Sequence, residues 1–222
     1  MMNNETPVAT GRDADVYAID DDRVLRRYRA GGDVAAEAAV MTYLAGHGFP
    51  VPTVFHAAGT DMVMQRVSGP TMLTALRDNG IDAASAAATL AGLHHRLHRI
   101  PARVARDPAT RVLHVDLHPD NVLLGLDGPV LIDWRNSREG PPDLDTAMSA
   151  LILAQAAVGA IPDLAQIARA LLPAFLGAVD GAPLTQLDRA VAMRSGDANL
   201  TEREVADLAA AAGLIREIIA EQ

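Results

Sequence analysis

Residues 112–124 read VLHVDLHPDNVLL. Two apolar runs enclose His114, Asp116, His118, Asp120 and Asn121, a set that suits either a metal cage or a catalytic loop between two short strands. Spacing separates the two readings. His114, Asp116 and Asn121 fit H-x-D-x-x-x-x-N, and Asp133 follows Asn121 by twelve residues at the end of the apolar run PVLI. Phosphoryl transfer asks for a carboxylate near the incoming hydroxyl and for oxygen ligands to Mg2+ on the phosphates. Asp116 suits the first task, orienting the hydroxyl and accepting its proton. The neutral oxygen of Asn121 and the charged oxygen of Asp133 suit the second, because Mg2+ prefers oxygen donors. A zinc cage would draw on His114 and His118, to which the pattern gives no shared geometry.

The elements that must position these groups change character near residue 67. Before it, DVYAI (15–19) and RVLRRYR (23–29) are short strand signals joined by a turn at Asp20-Asp21-Asp22. Asp33 is placed to cap a helix through VAAEAAVMTYLAGHG, which Gly46 and Gly48 end. VPTVFHA and DMVMQRV read as two further strands, giving β, β, helix, β, β. Beyond SGP (68–70) the chain turns largely helical apart from the opening stretch and PVLIDW. Helix 82–100 runs from an N-cap at Asp82 to Pro101 with the stripe Ala86, Leu90, Leu93, Leu97 and Ile100. His94 and His98 are four apart, yet HHRLH lacks the glutamate of a zincin helix. His95 points away from the stripe and His94 lies at its edge, so these histidines are expected at boundary and surface positions.

Composition sets limits. The chain has 222 residues, no cysteine and a formal charge of −9, which excludes disulfides, thiolate metal sites and a cysteine nucleophile. An acidic chain without a basic, aromatic-laced run is not expected to bind nucleic acid. The opening MMNNETPVAT has no basic and apolar leader pattern, and the apolar stretch 147–161 is too short to span a bilayer. A cytoplasmic protein without a membrane partner is the expectation; nothing in the sequence specifies an oligomeric state. All nineteen basic residues are arginine. Any catalytic ammonium must therefore be replaced by guanidinium or be missing.

HVDLHPDNVLL followed by VLIDW resembles the aminoglycoside phosphotransferase and choline kinase-like family, a branch of the protein-kinase-like fold. The resemblance covers roughly residues 8–150. It implies an α+β, two-lobed fold: an antiparallel-sheet N-lobe with one helix over residues 1–66, and a mainly helical C-lobe over 67–222. It implies ATP between the lobes, Mg2+, and a small-molecule hydroxyl acceptor, either an aminoglycoside-like antibiotic or a metabolite. TGRDADVY resembles the nucleotide-covering loop, with Gly11 at the turn and Val16 over the adenine. RVLR resembles the strand of the phosphate-binding lysine, which makes Arg26 its substitute, and Glu37 resembles the ion-pair partner. MVMQRV resembles the hinge, with Met64 behind it and the backbone of Gln65 and Val67 on the adenine edge. By the same resemblance His114 braces the catalytic loop, and Asp145 helps fix the turn that leads from Asp133 into the next helix.

Against protein kinases proper stand His118 in place of a lysine after Asp116, Trp134-Arg135 in place of Phe-Gly after Asp133, and no A-P-E. NSREGPPDLDTAMSAL is expected to lead directly into the next helix, with Asp145 as its N-cap. The acidity serves either ordinary solubility or a cationic acceptor; in the second case carboxylates such as Glu139, Asp143 or those of the C-terminal helices are expected to line the cleft mouth. The alternative to an enzyme is a kinase-like nucleotide-binding or interaction protein without transfer, which the missing lysine and glycine-poor loop motivate.

Overall fold

The computed structural model of the chain describes residues 6–11 and 13–222. Two compact units emerge: residues up to Gly69 together with Leu123–Arg135, and Pro70–Val122 together with Asn136–Gln222. The segment carrying Asp133 thus belongs with the first unit, whereas the loop carrying Asp116 and Asn121 belongs with the second.

The first unit is built on β1 (Ala9–Thr10), β2 (Ala14–Ala18), β3 (Arg23–Tyr28), α1 (Ala35–Gly46), β4 (Val54–Ala58) and β5 (Asp61–Gln65). Its antiparallel sheet has the order β1-β2-β3-β5-β4. Strand β3 is central, so Val24, Leu25 and Arg26 are all buried while Arg27 faces solvent. The helix begins one residue later than expected: Val34 is its N-cap without a side-chain bond, and the Asp33 carboxylate accepts the Ala35 N–H at 2.8 Å. Gly69, at φ +142°, passes so close to Leu124 that a Cβ would lie 2.1 Å from the Leu124 carbonyl oxygen. Only glycine fits that crossing.

The second unit opens with α2 (Met72–Arg77), α3 (Ala83–Leu97) and β6 (Arg111–Leu113). Asp82 caps α3 by accepting the Ser85 N–H at 2.7 Å, and the expected stripe is buried. The hairpin β7 (Val122–Gly125) and β8 (Gly128–Leu131) follows, mostly within the first unit. Then come β9 (Arg138–Gly140), α4 (Pro142–Val158), α5 (Pro162–Ala178), α6 (Leu187–Ser195), α7 (Glu202–Ala206) and α8 (Leu208–Ala220). The path from Asp133 to α4 is not direct. Arg138–Gly140 pairs antiparallel with β6, a strand made by its partner rather than by any alternation of its own. Helix α4 is the core of this unit, packed by α5, α6 and α8 and buried at eleven positions from Leu144 to Ala157. Among the described residues no single helix is long and apolar enough to cross a membrane, although one bent pair, Pro162–Ala178 with Pro183–Ser195, passes by length and composition alone.

Candidate active site

In the first unit, β3 alternation turns Arg26 inward and the first turn of α1 turns Glu37 to meet it. Arg26 Nη1 donates to Glu37 Oε1, and Arg26 Nη2 donates to Asp133 Oδ1 at 2.5 Å. The Tyr28 hydroxyl donates to Glu37 Oε2, and the Trp134 N–H donates to Glu37 Oε1 at 3.1 Å. Trp134 is fully buried, edge-on to Phe49, with its indole N–H on the Leu131 carbonyl. The turn after β8 is therefore pinned to α1. It presents Asp133 at φ +63°, a left-handed backbone that costs a non-glycine residue free energy. Burial alone would lower the Arg26 guanidinium, but the charges of Asp133 and Glu37 outweigh it and raise it, so the residue stays cationic. Burial pushes the Glu37 carboxyl up against the pull of Arg26, and burial also raises the Tyr28 phenol. The Asp133 side chain keeps 43% of its surface exposed, so it is open to a further partner.

The remaining expected nucleotide contacts are less demanding. Gly11 has no left-handed φ, and a Cβ there would make only ordinary contact with the Ala14 carbonyl at 3.5 Å. Arg12, within the quoted loop, lies outside the described residues. Asp13 and Asp15 face Arg135 at 3.3 Å and Arg29 at 3.5 Å. Val16 pairs across from Arg26, and Met64 is buried across from Val24. Gln65 ends β5 with its N–H on the Thr53 carbonyl, and Val67 follows two residues on.

In the second unit, β6 delivers His114 fully buried, then Val115 at φ +55°. A β-branched residue in the left-handed region is strained and persists only where its surroundings hold it. The holder is Asp145. Its carboxylate accepts the Val115 N–H at 2.6 Å, the His114 N–H at 3.1 Å and the His98 ring at 3.0 Å. Asp145 is not the N-cap of α4, which is Pro141; it sits inside the first turn and faces the loop. Burial would raise this carboxyl, but hydrogen bonds and charge from His94 and His98 outweigh it and hold it well below the usual range. His94 is buried rather than at a boundary, bonded through Nε2 to Ser149 at 2.9 Å, and burial lowers its pKa despite Asp145 nearby. The ligand atoms of His94, His98 and Asp145 lie within 4.8 Å of one another. The Asp145 oxygens are already engaged by two backbone amides, so the trio acts as a brace.

Beyond the strained residue, Asp116 stands partly exposed. Asn121, in the 3-10 turn Pro119–Asn121, donates Nδ2 to the Asp116 carbonyl at 2.9 Å, with Oδ2 at 3.4 Å. The Asn121 amide oxygen is a neutral donor and the Asp133 carboxylate, in the first unit, an anionic one; each is by its chemistry the kind of oxygen a hard divalent ion prefers. Two further cationic or titratable groups converge on Asp116 Oδ1: His118 Nε2 at 3.8 Å and Arg194 Nη1 at 3.9 Å. No spacing in the sequence pointed to Arg194, which comes from α6.

The antiparallel sheet with its single helix, the helical second unit and the strained H-x-D-x-x-x-x-N loop define a two-lobed α+β fold of protein-kinase type. The profile of the phosphotransferase enzyme family matches residues 4–108 and 95–181, and the chain belongs to that family. The expected class, a small-molecule kinase, holds. No curated protein matches the chain by sequence. Solved structures resemble it at low identity. The gentamicin complex of APH(2'')-IIa superposes with a TM-score of 0.61 at 12% identity, covering 95% of this chain and 91% of that one. A choline/ethanolamine kinase family protein from Mesorhizobium loti gives 0.57 at 16%, covering 98% and 88%. Amicoumacin kinase hAmiN in complex with AMP-PNP, Ca2+ and Ami gives 0.56 at 13%, covering 96% and 87%.

Proposed function

We propose that this enzyme moves the γ-phosphoryl group of ATP to a hydroxyl of a small molecule. The observation that carries the reading is the presentation of Asp116 on a strained Val115 that a buried carboxylate, Asp145, holds in place. Asp116 orients the acceptor hydroxyl and takes its proton as the oxygen attacks phosphorus, and ADP leaves. Asn121 and Asp133 would hold Mg2+, which when bound offsets charge on the phosphates. Arg26, steadied by Glu37, binds the phosphates in place of the usual lysine; its planar fork can serve two oxygens at once. Gly11 and Val16 cover the nucleotide, Met64 backs the adenine, and the Gln65 carbonyl and Val67 N–H meet its edge. The family and the neighbours that hold gentamicin or an adenine nucleotide analogue support ATP and a small hydroxylated acceptor.

A second reading, a nucleotide-binding protein without transfer, is favoured by the engagement of Arg26 with both Glu37 and Asp133. A screen of ATP turnover with and without Mg2+, against pooled hydroxyl compounds, separates them. Transfer predicts Mg2+-dependent ADP release that rises with one pool; the second reading predicts none.

A further inference from the structure

Several polar groups outside the expected machinery are committed to their own surroundings. The carboxylate of the His94–His98–Asp145 trio is taken by the amides of His114 and Val115. Glu139, expected at the cleft mouth, accepts the N–H groups of Arg103, Val104 and Ala105 at 2.6, 2.8 and 2.7 Å, and Asp143 accepts the Ala182 N–H at 3.1 Å. Arg135 instead links two elements that the nucleotide reading needs. We propose that Arg135 is a positioning residue of the nucleotide site, which fixes the covering loop through Asp13 and cancels the charge that Asp13 would otherwise turn on the phosphates. Its role toward nucleotide rests on the reading of TGRDADVY as the covering loop; its grip on that loop does not.

All the groups lie in the first unit. The β2–β3 register pairs Ala14 with Tyr28, and the Arg29 N–H donates to the Asp13 carbonyl at 3.0 Å, so Asp13 leaves the covering loop beside Tyr28. Arg135 arrives from the other direction, two residues beyond Asp133, on the turn that the Trp134 amide pins to Glu37 of α1. Its guanidinium carbon stands 4.5 Å from the centroid of the Tyr28 ring, and its Nη1 stands 3.3 Å from Asp13 Oδ2. A guanidinium lying on an aromatic face still presents the donors along its edge, so one side chain meets the ring and the carboxylate together. The ring beneath it is held firmly: Tyr28 is buried, and its hydroxyl donates to Glu37, the partner of Arg26. Arg135 therefore joins the covering loop to the cluster that holds Arg26 and Asp133.

The loop needs such a tie. It holds a single glycine, Gly11, whose φ is not left-handed, and it carries carboxylates at Asp13 and Asp15 where phosphates are expected. A carboxylate near a phosphate repels it, whereas the same carboxylate paired with a guanidinium is close to neutral. Asp15 has its counterion in Arg29 at 3.5 Å, and Arg29 also donates to the Gly11 carbonyl. Asp13 has its counterion in Arg135. Both side chains of the Asp13–Arg135 pair are 33% exposed, so water screens them, and the weight of the pair falls on loop position rather than on global stability.

The test uses the full chain, with ATP and Mg2+ as the probe in calorimetry and hydrogen exchange on the nucleotide-free protein. Arg135→Gln should weaken ATP binding about three- to tenfold, the combined worth of a partly screened ion pair and a cation on a ring. Adding Asp13→Asn should recover much of that loss, because the uncompensated carboxylate is then gone. The loss should also shrink as salt rises, and Arg135→Lys should be milder than Arg135→Gln. In hydrogen exchange, Arg135→Gln should speed the Gly11 and Arg29 amides, which donate to the Ala14 and Asp13 carbonyls at 2.9 and 3.0 Å. The Gln65 amide, on the Thr53 carbonyl at 2.8 Å, should be unchanged. ATP affinity indifferent to Arg135→Gln in the folded variant overturns the proposal. So does a loss that Asp13→Asn fails to recover, which would put Arg135 on the phosphates directly. Unchanged exchange at Gly11 and Arg29 overturns the grip on the loop. A wild-type chain that binds no ATP, yet whose loop exchanges faster on Arg135→Gln, would instead defeat the nucleotide reading alone.

Discussion

Two polar clusters in this chain reach their geometry by opposite means. Around Arg26, charge is held by charge: Glu37 and Asp133 flank a buried guanidinium, and Tyr28 and the Trp134 amide take up the rest of Glu37. Around Asp116, position is held by backbone: Val115 is bent into the left-handed region and Asp145 grips its amide. In the first cluster each charged partner depends on the others. The second leaves the Asp116 carboxylate partly exposed beside a strained residue that is held from beneath. Mutational effects should differ accordingly, coupled among side chains in one and concentrated in a residue remote from the substrate in the other.

The largest effect on stability is expected from Asp145→Asn. It removes a buried anion that serves two loop amides and His98, and breaking such a set costs about 3–5 kcal/mol. Urea unfolding measures this; a loss no larger than that of an exposed substitution would mean that the loop holds its own bend.

Coupling in the first cluster comes next. Arg26→Ala should strongly lower kcat/KM for ATP and Glu37→Ala partly. The double variant should be less than additive by about 0.5–3 kcal/mol, because both act through one contact. Arg27→Ala is the control. It faces the other side of β3 and bonds Asp61 at 2.7 and 2.5 Å in an exposed pair, worth less than about 1 kcal/mol. A large loss from Arg27 with none from Arg26 would contradict the assigned roles.

Asp133→Ala tests whether this cluster also serves a cation. Calorimetry should show ATP affinity falling about tenfold with Mg2+ present and much less without it, since an anionic ligand is lost. Equal losses under both conditions would make Asp133 a partner of Arg26 and no more.

The smallest effect concerns pH. His94 is buried and its pKa lies below the free value of about 6.5. Below that pH the unfolded chain binds a proton that the folded chain refuses, so stability is present above about 6.5 and falls as the solution is acidified. The slope reaches about 1.4 kcal/mol per pH unit for one such group. Asp145, held well below the usual range, adds to the loss only at more acidic pH, through its own folded value. His94→Gln should flatten the decline between pH 6.5 and 5 in urea midpoints; an unchanged slope would place the sensitivity elsewhere.

Much of this was legible because it is periodic or punctuated. The likeness of RVLR to a phosphate-binding strand singled out Arg26; the cap at Asp82 and the stripe to Ile100 fixed α3; the offsets among His114, Asp116 and Asn121 framed the loop. The rest depends on contacts far apart in sequence. Nothing about Val115 announces a left-handed backbone, because the force that holds it comes from Asp145, thirty residues on. His94 looked like a boundary residue because the stripe was counted on one side, whereas α3 is covered more widely and Phe175 of α5 lies beside the imidazole, ring centroids 5.7 Å apart. Strand β9 exists only through its pairing with β6. Arg194 reaches Asp116 from a helix whose sequence bears no catalytic pattern.

The central claim is that Asp116 is the base of a phosphoryl transfer, and Asp116→Asn tests it most directly. Single-turnover transfer from γ-labelled ATP to an acceptor from the hydroxyl screen, paired with calorimetry for nucleotide, separates chemistry from binding. The account predicts turnover lowered about 10²–10⁴-fold, with fold and ATP affinity retained. Wild-type-like turnover by Asp116→Asn would contradict it.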